Sequence, residues 1–416
     1  MTPDFTSVFL IFFALTLFTR LWLKIRHIRF VAAHRAAVPA DFAERIVLPD
    51  HQKAADYTVD RSRTAILGML IEAVVLLAFT LGGGLAALHD LWSPRLDGIP
   101  YGLAMIFSLT LISGLIDLPL SLYSQFVIEA RHGFNRMSPG LFFADLLKQT
   151  LLGIAIGAPV IAAVLWLMGA MGQYWWLYVW LFWSGFNLLI MFIYPTWIAP
   201  LFNKFSPLED GEMKARIEAL LARCGFRSSG LFVMDGSKRS SHGNAYFTGF
   251  GNNKRIVFFD TLLSRLDPPE VEAVLAHELG HFRKKHVVKR MVLMFAGSLG
   301  FLWLLGQLID APWFYAGLGV PAQNTALALI LFFLVMPTFT FPLTPLMSQL
   351  SRRHEFEADA YAAQHAAADD LVRALVKLYQ DNASTLTPDP LHSLFHDSHP
   401  PAAQRIAHLQ LQEKPA

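Results

Sequence analysis

The five residues His277-Glu278-Leu279-Gly280-His281 can assemble half of a zinc hydrolase site. On an α-helix, positions i and i+4 project from one face, so two imidazoles can reach a single Zn²⁺. Glu278, next to the first histidine, can then hold the attacking water and take its proton. The competing explanation is a chance match, since the chain carries 15 histidines. The flanks favour a helix. Asp267-Pro268-Pro269-Glu270 reads as an N-cap, a proline at the first helical position and a glutamate that completes a capping box. Val271, Val274, Leu275 and Leu279 follow at roughly helical spacing.

A catalytic zinc takes three protein ligands and keeps a further position open. The third is sought in the run Arg352-Arg353-His354-Glu355-Phe356-Glu357-Ala358-Asp359-Ala360. Glu355 and Asp359 share a helical face. Glu355 can ligate the metal, while Asp359 can accept an N–H from a ligating imidazole and fix its tautomer. His354, Glu357 and His286 are rival ligands, and a solvated charged face is the bland reading of the same run. The single Cys224 excludes a cysteine-rich zinc site and an intrachain disulfide.

These groups need elements to position them. The chain has 416 residues, 54% hydrophobic and only 16% charged, which excludes an ordinary pair of soluble domains. A net charge of +2 gives no ground for nucleic-acid binding. The expected partners are the lipid bilayer and a peptide or protein substrate, with the chain working as a monomer. Seven runs are long enough to cross a bilayer, near Phe5–Trp22, Ala65–Leu88, Tyr101–Tyr123, Leu151–Met171, Trp175–Leu201, Met291–Ile309 and Thr325–Leu346. The first reads as a retained anchor, because no basic segment precedes it and no small-residue cleavage site follows. Lys and Arg alternate between rich and poor loops, which puts the N-terminus outside and the C-terminus and zinc motif in the cytoplasm.

The expected organisation is a five-span membrane region over 1–201, a cytoplasmic insertion over 202–290, two spans over 291–349 and a helical tail over 350–416. Within the insertion, Ser206-Pro207-Leu208-Glu209 predicts a second capped helix running to Cys224, with Gly225 as its stop. Strand-like runs follow at Leu231–Met234, Asn244–Phe247 and Arg255–Phe259. Gly249, Gly251, Asn252 and Asn253 predict a hairpin between the last two. The short links from His281 to Met291 and from Leu346 to Glu355 place both half-sites at the membrane surface, the first about 15 Å along a helix. The fold class is therefore mainly α, a seven-transmembrane-helix protein with a small cytoplasmic α+β insertion.

With these features assembled, the chain resembles the integral-membrane zinc proteases of the CAAX prenyl protease, Ste24 type (peptidase family M48). The HExxH…ExxxD pair, the seven spans and the hairpin carry the resemblance. So do Ile128–Asn135, the segment from Ser237–His242 through Asn244–Phe247 to Lys254–Val257, and Ser398-His399-Pro400-Pro401 with Arg405. It implies zinc on His277, His281 and Glu355, with Glu278 as general base. It further implies that His399 and Arg405 hydrogen-bond the substrate or its tetrahedral intermediate, and that Asn244 contacts substrate backbone. The Asn244–Phe247 edge offers backbone groups to an extended peptide.

The resemblance also implies spans enclosing a water-filled chamber. Glu72 and Asp117, costly in lipid, would fit a chamber wall, or would pair between helices. Pro337, Pro342 and Pro345 predict kinks in the seventh span, and Trp175, Trp176, Trp180 and Trp183 an interfacial belt plus packing. The implied activity is removal of the last three residues from prenylated CAAX proteins, in the endoplasmic reticulum if the source is eukaryotic. In a bacterial inner membrane, turnover of damaged membrane proteins is the competing role. A transporter with structural zinc is the reading from another class; it would need four protein ligands and give Glu278 no task.

Overall fold

In hydrocarbon every backbone N–H and C=O must be satisfied within the segment, so long apolar runs become helices. The computed structural model of the chain describes residues 4–248 and 255–412. Among the described residues, seven helical segments are long and apolar enough to span a membrane: Phe5–Ala33, Leu48–Phe79, Gly98–Arg131, Pro139–Ala170, Gly172–Leu201, His286–Leu308 and Thr325–His365. Most overrun their apolar stretch on the side of the insertion. The second starts at Leu48, well before the apolar run at Ala65, and carries polar Tyr57 and Asp60 beyond it.

The seventh segment differs from the rest. Half of its most apolar window is buried, against 17% or less in the other six. Leu327, Leu331 and Phe332 pack with Phe9, Met105 and Leu305 from three other spans. Thr325–Thr340 is therefore the most enclosed of these segments, packed against the first, third and sixth. Its helix is interrupted by a tight turn at Phe341–Leu343, around Pro342, and resumes as Thr344–His365. Pro337 lies inside the upper helix and Pro345 in the first turn of the lower one. A cavity of about 640 Å³ lies beside this break, with Arg20, Glu72, Asp117 and His396 in its wall. Glu72 pairs with Arg20 at 3.0 Å. The Trp residues divide: Trp175 is buried and the Trp180 indole donates to the Phe295 carbonyl at 2.8 Å, whereas Trp183 is exposed.

The insertion folds around a small mixed sheet. Its strands are β1 (Phe205–Pro207), β2 (Leu231–Met234), β3 (Ala245–Thr248) and β4 (Arg255–Phe259), in the order β1-β2-β4-β3. β2 and β4 are parallel, with Val233 opposite Phe258, and the outer pairs are antiparallel. β3 is thus an edge strand. The predicted hairpin residues Gly249, Gly251, Asn252 and Asn253 lie outside the described residues, as does Lys254.

One expectation is corrected. Ser206 does not cap a helix; it sits in β1 opposite Val233, and the helix begins later, at Glu212–Arg223. The competing demand is sheet pairing: the Leu208 N–H donates to the Leu231 carbonyl at 2.9 Å, and its side chain enters the core. That helix does end at Cys224, with Gly225 at φ +62°, a left-handed stop glycine supplies freely. Ile217, Leu220, Phe258, Val271, Leu275, Leu279, Leu375 and Leu409 form one core beneath the sheet, joining insertion and tail.

Candidate active site

The motif helix is Pro268–Arg283. Its capping box forms as the sequence predicts, with the Asp267 N–H donating to Glu270 Oε2 at 2.8 Å. Lys377 from Ala368–Asp381 then contacts Glu270 at 2.7 Å and Asp267 at 2.8 Å. The far end breaks at Lys285, whose φ is +56°, and a new helix starts at His286. The motif helix therefore turns before the sixth span instead of running into it.

Its partner is Thr344–His365, and the two cross at Gly280. An added Cβ there would meet the Ala358 Cα at 2.9 Å and the Ala358 carbonyl at 3.0 Å. Hydrogen at this position lets the helices approach closely enough for Glu355 to reach both histidines. The two imidazole Nε2 atoms lie 3.2 Å apart. Glu355 Oε2 is 3.4 Å from His277 Nε2, and Oε1 is 3.3 Å from His281 Nε2. Tetrahedral zinc with bonds of roughly 2.0–2.1 Å holds its ligand atoms about 3.3–3.4 Å apart, so this triangle fits. Glu355 Oε2 is buried with no hydrogen-bond partner among the described residues, an orphan that a cation would satisfy. Among the described residues, His277, His281 and Glu355 are the group able to share one ion.

Second contacts orient both rings. His277 Nδ1 donates to Asp359 Oδ1 at 2.8 Å, which leaves Nε2 for a metal. Asp359 is held in turn by buried Arg405, whose Nε and Nη2 reach its two oxygens at 2.8 and 2.5 Å. Burial lowers the basicity of His277, but the Asp359 and Glu355 carboxylates outweigh it and raise the pKa to about 9. A proton and a cation therefore compete for its Nε2. His281 is oriented by a different chain. His286 donates from Nε2 to Glu357 at 2.9 Å, so its Nδ1 is an acceptor for His281 Nδ1–H, also at 2.9 Å. His354 stacks on His286 with ring centroids 4.0 Å apart. The three rival ligands thus stand one layer behind the site. The only sequence sign of this relay was a histidine close after His281.

Glu278 is half-buried and makes no hydrogen bond or ion pair with any described residue, so its carboxylate is not engaged by the protein's own polar groups. His399 is largely exposed, with Nε2 3.6 Å from Glu355 Oε1 and Nδ1 2.9 Å from the Ser398 hydroxyl. Arg405 is 6% exposed and faces Asp359, with Nη1 3.9 Å from Glu355. Asn244 is exposed at the entrance to β3, where its carbonyl accepts the Phe259 N–H at 3.0 Å.

Ile128–Asn135 and Ser237–His242 are far apart in the sequence, and the fold brings them together. Asn135 bridges to Ser240, and the Arg136 N–H donates to the Arg239 carbonyl at 3.1 Å. Arg239 pairs with buried Asp145, Nε to Oδ2, at 2.8 Å. The Tyr57 hydroxyl donates to Glu129 at 2.6 Å, and His242, two residues before Asn244, lies 3.6 Å from the same carboxylate. The membrane helices therefore clamp the segment that leads into β3.

Seven apolar helices long enough to cross a membrane, joined to two histidines and a glutamate whose donor atoms can share one metal ion, are the parts of a membrane-embedded metallopeptidase. The comparisons agree. The pattern described as "CAAX prenyl protease N-terminal, five membrane helices" matches residues 27–204, and that of "Peptidase family M48" matches residues 207–413. The CAAX prenyl protease 1 homolog of Arabidopsis thaliana is 41% identical, over 73% of this chain and 72% of that protein. The human homolog is 34% identical, over 90% of this chain and 88% of its own. A crystal structure of S. mikatae Ste24p superposes with a TM-score of 0.90 at 32% identity, covering 98% of this chain and 99% of that one. The chain belongs to the M48 metallopeptidases, in their CAAX prenyl protease branch. It is an integral-membrane metalloendopeptidase.

Proposed function

We propose that the chain is a zinc peptidase that removes the C-terminal tripeptide of prenylated CAAX proteins. The observation that carries the metal is the donor triangle with its orphaned Glu355 oxygen. The substrate follows from relatives named CAAX prenyl protease. When bound, zinc supplies a Lewis acid that polarises the scissile carbonyl and acidifies water. His277, His281 and Glu355 hold it, and Asp359 keeps His277 in the ligating tautomer. Glu278 takes the proton from the attacking water and returns it to the leaving amine. The substrate lies extended along the outer edge of β3, with Asn244 meeting its backbone. His399 donates to the developing oxyanion. Arg405, being buried, supports this charge through Asp359 and Glu355. The positive-inside bias supports a cytoplasmic active site with the N-terminus outside, and the enzyme works as a monomer.

The test is a peptide pair with and without a farnesyl group, assayed on purified protein with metal analysis and a chelator control. Preferential cleavage of the farnesylated peptide before its last three residues supports the reading. Equal cleavage of both refutes prenyl specificity and favours turnover of membrane proteins at large.

A further inference from the structure

A cavity of about 800 Å³ opens between the ends of four spans, walled in part by Met168, Trp175, Gln307 and Thr325. The sixth span starts at His286, beside the metal site, and rises about 33 Å to Leu308. A hydrocarbon core is about 30 Å thick, so this cavity lies at the opposite headgroup layer.

Three aromatic rings, those of Tyr174, Trp176 and Trp303, line it. Gly306 makes room for one of them: an added Cβ there would meet Trp176 Cδ1 at 3.0 Å. None of the three stacks on another ring among the described residues. Among the described residues lining the cavity, Asp310 is the one carboxylate and none is Lys or Arg. Residues 310–324 contain neither basic type. The amides of Gln173, Gln307 and Gln323 complete the polar wall. These three and Asp310 are exposed, and their side chains make no hydrogen bond or ion pair with any described residue.

Interfacial anchoring accounts for tryptophan and tyrosine at this depth. It does not account for a carboxylate and three amides, all unengaged, on the same wall. Ring faces and a carboxylate with no competing cation attract an ammonium group. Glutamine amides offer N–H donors to phosphate oxygens and carbonyl acceptors to ammonium N–H groups. An anionic headgroup without an ammonium would meet the charge of Asp310 uncompensated. Phospholipid headgroups stand at this depth already, so such a ligand needs no separate route in.

We propose that this cavity binds the headgroup of a zwitterionic phospholipid. Its ammonium sits against Asp310 and the indoles of Trp176 and Trp303, and its phosphate accepts from the glutamine amides. The site is independent of the metal and of the peptide substrate, and is separated from both by the thickness of the membrane.

The test is native mass spectrometry of the purified full chain in a polyoxyethylene detergent. Phosphatidylethanolamine, phosphatidylcholine and phosphatidylglycerol with identical acyl chains are titrated in turn. Both zwitterionic lipids should bind the wild type roughly 10- to 100-fold more tightly than phosphatidylglycerol, the worth of a charge-assisted contact. Asp310→Asn and Trp303→Leu should each cut that preference at least about fivefold, with the thermal midpoint in lipid-free detergent unchanged. Asp97→Asn is the control: it removes an exposed carboxylate at the start of the third span, outside the cavity wall, and should leave the preference intact. A wild-type ratio near one, or a preference for phosphatidylglycerol, overturns the proposal without reference to any variant. So does an undiminished preference in Asp310→Asn, or an equal loss in Asp97→Asn.

Discussion

Gly280→Ala separates metal assembly from folding. The new methyl would stand 2.9 Å from the Ala358 Cα and 3.0 Å from its carbonyl oxygen. Carbon atoms in contact prefer about 3.5–4.0 Å, so the two helices must part by roughly 0.6–1 Å. Stability barely registers this. Overpacking costs about 1–3 kcal/mol, and replacing helical glycine by alanine returns about 1 kcal/mol. The donor triangle has no such compensation, because His277 and His281 ride on one helix and Glu355 on the other. Metal–ligand distances tolerate only about ±0.2 Å. Zinc affinity should therefore fall at least 10- to 100-fold, the range for disturbed outer-shell contacts, while the thermal midpoint of the metal-free protein moves by only a few degrees. Chelator competition gives the affinity, and differential scanning fluorimetry in detergent gives the midpoint. Gly297→Ala is the control, since nothing lies within 4 Å of its added Cβ. If Gly280→Ala binds zinc and cleaves peptide like the wild type, the close crossing does not hold the site together.

Glu278→Gln should retain metal and thermal midpoint but lose about 10²-fold or more in kcat, measured by metal analysis alongside peptide cleavage. Undiminished cleavage would exclude Glu278 as the base. Asp359→Asn should weaken zinc binding by roughly 10- to 100-fold in chelator competition, because the amide is a poorer acceptor for His277 Nδ1–H. Arg405→Met leaves the buried Asp359 carboxylate without its guanidinium and should cost about 3–5 kcal/mol in denaturant unfolding; an effect under 1 kcal/mol would show the pair is dispensable. Tyr57→Phe removes the hydroxyl that holds Glu129, and should raise KM while leaving zinc content unaltered, since the cluster bears on the approach to β3.

Chemistry confined to short helical spacings was legible in the sequence. His277 and His281 on one face, Glu355 and Asp359 on another, and the Asp267–Glu270 cap are all decided within one or two turns. The seven apolar segments were equally plain, because lipid leaves the backbone little choice. Features set by distant pairing were not. Ser206 carries a helix-start signature, yet pairing with β2 overrides it. Gly280 looks like a spacer until Ala358 is placed against it. The seventh span reads as one more apolar run, and nothing in its composition says that half of its most apolar window is buried among the others. The Tyr57–Glu129–His242 cluster joins three chain regions, none of which marks the others.

The candidate metal triad and its supports come from well-separated parts of the chain: His277 and His281 are made first, Glu355 and Asp359 only after the apolar runs of two further spans, and Arg405 later still. At roughly 5–20 residues per second of synthesis, Arg405 follows His281 by on the order of 6–25 s. Throughout that interval the ribosome-bound chain carries a two-histidine fragment with no carboxylate to complete it. A hydrolase built this way completes its donor set only when the final segments dock.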